Sequence, residues 1–169
     1  MGVNRYKEHL VVFLEDQPYR DILNGVQLEH DMNIDVKKPC GGWNKVFNDF
    51  ERSQDVLEKF PNAYVLLLMD FDDKQVGSQT SFEKRKIKFN DIVNERYKDR
   101  VFLLGTNYKE SEDLKKIFQI SKFEEIGQRL VKDCPHSKLD SWKNTHLECN
   151  LEELSRMKDR GVFNWLFGS

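Results

Sequence analysis

The chain has 169 residues, of which 38% are hydrophobic and 33% are charged, and its formal net charge is −2. These values fit one globular domain with its own core, and they exclude a protein that binds nucleic acid through overall positive charge. A polyanionic partner would need a local basic patch or a bridging metal ion.

The predicted elements alternate between short, continuously apolar strands and helices with apolar residues at helical spacing. In chain order they are a strand over 9–15, a helix over 16–31, a strand over 33–38, a helix over 43–60, a strand over 63–70, a helix over 80–99 and a strand over 100–105. Gly25 is expected to weaken the middle of the first helix.

Beyond the fourth strand the chain is predicted to be helical. The segments 111–120 and 121–134 predict helices with serine N-caps, and 151–167 predicts a helix broken at Gly161 with an aromatic tail. The fold class is therefore α/β, a parallel sheet with helices on both faces and a helical C-terminal extension. We expect a single domain over 1–169, with its core over about 9–120 and the extension over about 121–169.

The first ten residues, MGVNRYKEHL, lack the apolar stretch of a secretory signal, and the longest apolar runs are too short to span a bilayer. Three widely spaced cysteines argue against a disulfide framework. We expect a cytoplasmic protein that has no membrane partner.

Acidic side chains follow three of the predicted strands. They are Glu15 and Asp16 after the first strand, Asp70, Asp72 and Asp73 after the third, and Glu112 beyond the fourth. Ligands of parallel sheets bind outside the carboxyl ends of the strands, so these residues are expected to converge there. Clustered carboxylates without histidine or cysteine suit Mg²⁺ or Mn²⁺.

Two segments are candidates for binding phosphate. Gly41 and Gly42 precede a predicted helix, where they would let the backbone approach a phosphate or would simply form a turn. The run FEKRKIKF would neutralise phosphates or form a solvated helix face, and its cations are Lys84, Arg85, Lys86 and Lys88. Cys134, His136, His146 and Cys149 are zinc-ligand types, with core packing as the alternative.

The strand-closing glutamate of VVFLED, the glycine turn of CGGWN and the D-x-D of LLLMDFDD resemble the TOPRIM domain, roughly over residues 9–115. That domain occurs in topoisomerases, bacterial primases, recombination-repair proteins and nucleases of the overcoming-lysogenization-defect (OLD) type. The resemblance implies that Glu15 is a general acid/base or metal ligand and that Asp70 and Asp72 hold Mg²⁺. It implies supporting metal roles for Asp73 and, more weakly, Glu112. In many members a glycine follows the glutamate, where this chain has Asp16.

The function implied by the resemblance is a Mg²⁺-dependent (or Mn²⁺-dependent) phosphodiesterase or nuclease acting on nucleic acid, in a phage-defence or repair system and beside a partner protein chain. Two alternatives stay open. A receiver-like phosphoacceptor domain would use Glu15, Asp16 and Asp70 around Mg²⁺, with Thr106 as a switch hydroxyl. A catalytically silent interaction module would use the aromatic tail as an interface.

Overall fold

Continuously apolar segments pair as the strands of one parallel sheet. In this computed structural model, which describes residues 2–71, 81–107, 111–134, 139–143 and 146–167, the sheet has four strands in the order β2-β1-β3-β4. They are β1 (His9–Leu14), β2 (Ile34–Val36), β3 (Ala63–Phe71) and β4 (Val101–Asn107). Val12 pairs with Val36 on one side and Leu66 on the other, so β1 is a central strand.

Helices connect the strands and continue beyond β4. They are α1 (Gln17–Glu29), α2 (Trp43–Arg52), α3 (Val56–Lys59), α4 (Ser81–Ile92), α5 (Leu114–Phe118), α6 (Phe123–Asp133), α7 (Leu151–Asp159) and α8 (Val162–Leu166). Short 3₁₀ helices lie at Glu95–Arg100, Ser111–Asp113, Asp140–Trp142 and Glu148–Asn150. No helix in the described ranges is long and apolar enough to cross a membrane.

The sheet separates two hydrophobic cores, because successive side chains of a strand point to opposite faces. Leu10, Val12 and Leu14 of β1 pack with α1, α5, α6, α7 and α8 in what we call the α1-side core. Val11 and Phe13 pack with α2, α3 and α4 in the α2-side core. The predicted α/β fold with helices on both faces of a parallel sheet is therefore confirmed.

Two predicted helices are shorter than expected. The helix predicted over 43–60 is interrupted after Arg52, where the backbone N–H of Ser53 bonds to the carbonyls of Asp49 and Phe50. The helix predicted over 80–99 ends at Ile92, and the side chain of Asn94 then caps the 3₁₀ helix Glu95–Arg100.

The predicted serine caps are wrong. Asp113 precedes α5 and Lys122 precedes α6, and neither side chain makes a capping hydrogen bond. Ser111 instead begins the 3₁₀ helix Ser111–Asp113, where it is buried. Its backbone is used for a long-range contact described below.

The outer edge of β4 is covered by side chains from the C-terminal segment. Asn150 accepts a hydrogen bond from the Gly105 N–H at 2.9 Å and donates one to the Gly105 carbonyl at 2.7 Å. Glu153 accepts from the Leu103 N–H at 2.8 Å, and Arg156 donates to the Val101 carbonyl at 2.5 Å. These bonds satisfy backbone groups that an edge strand would otherwise leave open to pairing with another chain.

The residues after 121 contribute to the α1-side core. Leu130, Leu154 and Val162 are buried there against the sheet. The aromatic tail packs on the same core, with the ring of Trp165 5.2 Å from that of Tyr64. The predicted division near residue 120 stays a prediction.

Candidate functional site

Glu15 and Asp70 lie together at the carboxyl ends of the two central strands. β2 and β3 pair on opposite sides of β1, so the strand order reverses between β1 and β3, and ligands of α/β sheets bind at such a switch point. The backbone N–H of Asp70 donates a hydrogen bond to Glu15 Oε2 at 2.6 Å. The Glu15 N–H bonds to the Leu68 carbonyl at 3.0 Å, which continues the ladder and holds the glutamate in register.

The Asp70 side chain points into the protein rather than into solvent. The residue is only 7% exposed. Its side chain is on the same face of β3 as those of Leu66 and Leu68, which belong to the α1-side core. Asp70 Oδ1 accepts hydrogen bonds from the Tyr19 hydroxyl at 2.7 Å and from the Ser111 N–H at 3.0 Å. A side chain of α1 and the backbone of the 3₁₀ helix after β4 therefore both hold this carboxylate.

The surroundings of Asp70 work against its negative charge. Burial, helped by the charges of Glu15 and Asp16, raises the pKa of Asp70 to about 7 against the opposing effect of the hydrogen bonds from Tyr19 and Ser111. Near neutral pH this carboxyl group therefore exists in both forms. A cation beside it would favour the ionised form, as in sites where carboxylates gather around a metal.

Other acidic residues lie around this pair. Asp16 precedes α1, and its Oδ2 lies 3.5 Å from the Ser111 hydroxyl. Glu112 is exposed on the 3₁₀ helix whose first residue bonds to Asp70. It therefore lies at the same carboxyl end of the strands as Asp70. Asp72 and Asp73 lie outside the described residues.

The donor chemistry of the pair suits a hard divalent cation. Glu15 and Asp70 supply carboxylate oxygens, which Mg²⁺ takes through one or two protein carboxylates together with water. Within the described ranges, no group of three His, Cys, Asp or Glu residues is arranged to hold a metal ion. A larger ligand set would draw on Asp72 or Asp73, and the Mg²⁺ or Mn²⁺ site stays a prediction.

The glycine turn runs beside Glu15. The Gly41 N–H donates to the Glu15 carbonyl at 2.8 Å, and Gly42 directly precedes α2. Gly41 has a φ of 87°, a left-handed conformation that suits glycine. A Cβ at Gly41 would lie 3.7 Å from Nζ of Lys45, a cation beside the turn that is not among the predicted phosphate-binding residues.

The predicted basic run is divided between two directions. The Arg85 guanidinium lies 3.5 Å from the centre of the Trp43 ring and the Lys88 ammonium 5.9 Å from it, which brings both cations to the first residue of α2. Lys86 lies 3.7 Å from Glu152 on α7, away from that turn. Lys84 is half-buried on α4.

Two polar residues of the site, Tyr19 and Ser111, were not recognised in the sequence. Tyr19 follows the apolar spacing of α1 together with Ile22 and Leu23, and this pattern alone indicates core packing. Ser111 contacts Asp70 through its backbone N–H, for which side-chain identity carries no signal. Thr106, considered only as a switch hydroxyl, lies 3.0 Å from the Tyr19 hydroxyl.

The zinc alternative has no support in the described residues. Cys134 lines the α1-side core, whereas Cys149 packs against the α2-side core. Burial raises the pKa of each of these thiols to about 12, which disfavours the thiolate that zinc binds. His136 lies outside the described residues.

A solved structure of another protein is similar to this chain. The chain is similar to the C-terminal region of the Burkholderia pseudomallei OLD protein, with 16% identity over 94% of this chain and 85% of that chain and a TM-score of 0.40. A TM-score this low carries neither fold nor activity from one protein to the other. No family model and no curated protein sequence matches the chain.

Proposed function

We propose that this protein is a phosphodiesterase that acts on nucleic acid, depends on Mg²⁺ or Mn²⁺, and is built on a TOPRIM-like domain. The observation that supports the proposal most directly is the contact between Glu15 and Asp70 at the switch point of the sheet. Two carboxylates on adjacent strands, one of them buried with a raised pKa, form the kind of pair that a bound cation would stabilise.

In this proposal Asp70 and Asp72 hold the ion, with Asp73 and Glu112 as supporting ligands. The ion, when bound, polarises a phosphoryl oxygen and lowers the pKa of a water molecule. Glu15 ligates the ion or orients that water and accepts its proton. Because its Oε2 accepts a hydrogen bond from the Asp70 N–H, the carboxylate of Glu15 is already oriented toward Asp70.

The substrate would be bound by a local patch, because the net charge of −2 provides no general attraction to nucleic acid. Gly41 and Gly42 bring the N-terminus of α2 beside Glu15, and Arg85 and Lys88 lie over its first residue. These groups would contact a phosphate next to the acidic pair. Lys84 and Lys86 would extend the contact along α4, and a partner protein in a phage-defence or repair system would complete the substrate path.

The test is cleavage of a panel of single- and double-stranded DNA and RNA with Mg²⁺, with Mn²⁺ and with a chelator. Glu15→Gln and Asp70→Asn keep the shape and one acceptor oxygen of each side chain, so we expect folded variants that cleave at least about 100-fold more slowly. Asp55→Asn is the matched control, because Asp55 is exposed and pairs only with Lys59 among the described residues. Wild-type cleavage by Asp70→Asn would contradict the proposal.

A phosphoacceptor domain is the second candidate. It is favoured by the position of Thr106, whose hydroxyl contacts the same Tyr19 hydroxyl that contacts Asp70. The described residues contain no fifth strand to carry the lysine of such a domain, and side chains of the C-terminal segment occupy the edge of β4. Incubation with a small phosphodonor followed by mass spectrometry distinguishes the two. A stable phosphoryl group on Asp70 would favour this candidate.

A further inference from the structure

Asp70 is held by a chain of hydroxyl groups from two other elements. Tyr19 of α1 is 5% exposed, and its hydroxyl lies 2.7 Å from Asp70 Oδ1 and 3.0 Å from the hydroxyl of Thr106 on β4. Thr106 is fully buried. The Tyr19 hydroxyl thus contacts both Asp70 and Thr106, at one end of the otherwise apolar α1-side core.

The direction of the hydrogen bonds follows from counting protons. The tyrosine hydroxyl has one hydrogen, and an ionised Asp70 can only accept, so Tyr19 donates to Asp70. When Asp70 is ionised, the 3.0 Å contact between the two hydroxyls is therefore a bond that Thr106 donates to the tyrosine oxygen. The hydrogen-bond chain therefore runs from Thr106 to Tyr19 to Asp70.

The hydrogen bonds also distinguish the two carboxylate oxygens of Asp70. Both hydrogen bonds that the described residues donate to this side chain, from Tyr19 and from Ser111, fall on Oδ1. Donors on one oxygen restrict the rotation of the carboxylate, and Oδ2 accepts no hydrogen bond from the described residues. If position 19 served only to fill the core, a phenylalanine would be sufficient. The tyrosine hydroxyl is favourable in this buried position only because it has hydrogen-bond partners.

We propose that Tyr19 is a positioning residue that orients the Asp70 carboxylate for a divalent cation, and that Thr106 orients the Tyr19 hydroxyl. This inference rests on the proposed function, since it requires Asp70 to be a ligand. Groups that hold a metal ligand in place commonly change metal affinity by about 10- to 100-fold when they are removed.

The experiment is calorimetric titration of the full chain with Mn²⁺ alone, without nucleic acid. We expect Tyr19→Phe to weaken Mn²⁺ binding by about 10-fold while leaving the circular dichroism spectrum unchanged. The matched control is Tyr97→Phe, because Tyr97 is also buried and its hydroxyl accepts a bond from Arg96 in the α2-side core. This control should bind Mn²⁺ as the wild type does.

Thr106→Val tests the order of the hydrogen bonds from Thr106 through Tyr19 to Asp70. It also provides a second variant if Tyr19→Phe folds poorly. It should weaken Mn²⁺ binding by about 3-fold, less than Tyr19→Phe does, because the tyrosine can still donate to Asp70. The double variant should bind no more weakly than Tyr19→Phe, since the proposed effect of Thr106 is transmitted through the Tyr19 hydroxyl, which that variant already lacks.

The outcomes separate this inference from the proposed function. A wild-type chain that binds no Mn²⁺ overturns both. A wild-type chain that binds Mn²⁺, with Tyr19→Phe binding equally tightly, overturns only the positioning role. If the losses of Mn²⁺ affinity caused by Tyr19→Phe and Thr106→Val are independent and additive, Thr106 does not act through Tyr19, and that part of the inference is overturned.

Discussion

The carboxyl group of Asp70 lies between opposing influences. Burial and the nearby charges of Glu15 and Asp16 penalise its ionised form, and the hydroxyl of Tyr19 and the N–H of Ser111 stabilise that form. The first influence is larger, so the pKa rises to about 7. The folded protein therefore binds this proton more tightly than the unfolded chain, in which the pKa of an aspartate is about 3.9.

The stability of the protein should depend on this proton. Because the folded pKa is raised, the stabilising contribution of the proton is complete below about pH 4 and is lost as the pH rises to about 7. A shift of this size corresponds to a loss on the order of 4 kcal/mol. Thermal unfolding from pH 5 to 8 should show the melting temperature of the wild type falling relative to that of Asp70→Asn, whose amide does not titrate.

The same measurement includes a control with metal. Mg²⁺ at millimolar concentration should raise the melting temperature of the wild type at pH 8, because an ion that binds only the folded state stabilises it. It should leave that of Asp70→Asn nearly unchanged. Parallel pH profiles of the two proteins would show that Asp70 titrates normally and would remove this argument for the site.

At the scale of the elements, α1 and α6 cross with their backbones in contact. A Cβ added to Gly25 would lie 1.8 Å from the Glu124 carbonyl oxygen, and one added to Gly127 would lie 1.9 Å from that of Ile22. The two glycines thus form reciprocal contacts on facing helices. The helix propensity lost at Gly25 is the cost of this close approach, which keeps Tyr19 and the first turn of α1 against the sheet.

Gly25→Ala should therefore destabilise the protein, although alanine favours an isolated helix by about 1 kcal/mol over glycine. The clash is with backbone atoms that cannot rotate away, so we expect a net loss of about 2 kcal/mol in the free energy of unfolding in urea. Asn24→Ala, at an exposed neighbouring position of the same helix, is the control and should be neutral or slightly stabilising. A stabilised Gly25→Ala would mean that the helices lie further apart than described.

At the scale of the whole molecule, the C-terminal segment completes both the core and the sheet. Leu130 of α6, Leu154 of α7 and Leu166 of α8 belong to the α1-side core, on which Tyr19 also packs. Asn150, Glu153 and Arg156 bond to the outer edge of β4. The candidate site thus depends on elements that are distant from it in the chain.

A chain ending at residue 120 should consequently fail to fold as a stable monomer, because a third of the buried residues described for the α1-side core and the side chains that cover the edge of β4 would be missing. We expect no cooperative thermal transition and larger species in size-exclusion chromatography. A chain ending at residue 160 keeps α6 and α7 and should fold with reduced stability. A cooperative, monomeric 120-residue chain would instead support a separate core over about 9–120.

Much of the fold was predictable because its signals are local. The apolar runs at 9–15 and 63–70 predict central parallel strands, which are covered on both faces. The approach of Glu15 and Asp70 followed from the general geometry of such sheets rather than from either residue alone. The contacts of the basic side chains on α4 were not predictable. They depend on how α4 packs between α2 and α7, which places Arg85 against Trp43 and Lys86 against Glu152.

The sequence by itself determined the strands, the parallel α/β class and the identity of the acidic residues at the strand ends, since hydrophobic pattern and strand length are properties of consecutive residues. Only the tertiary structure decided how Asp70 is held. Tyr19, Thr106 and Ser111 are 51, 36 and 41 positions away from it along the chain, and no local pattern relates them. The burial that raises the pKa of Asp70 likewise exists only once α1 has packed onto the sheet.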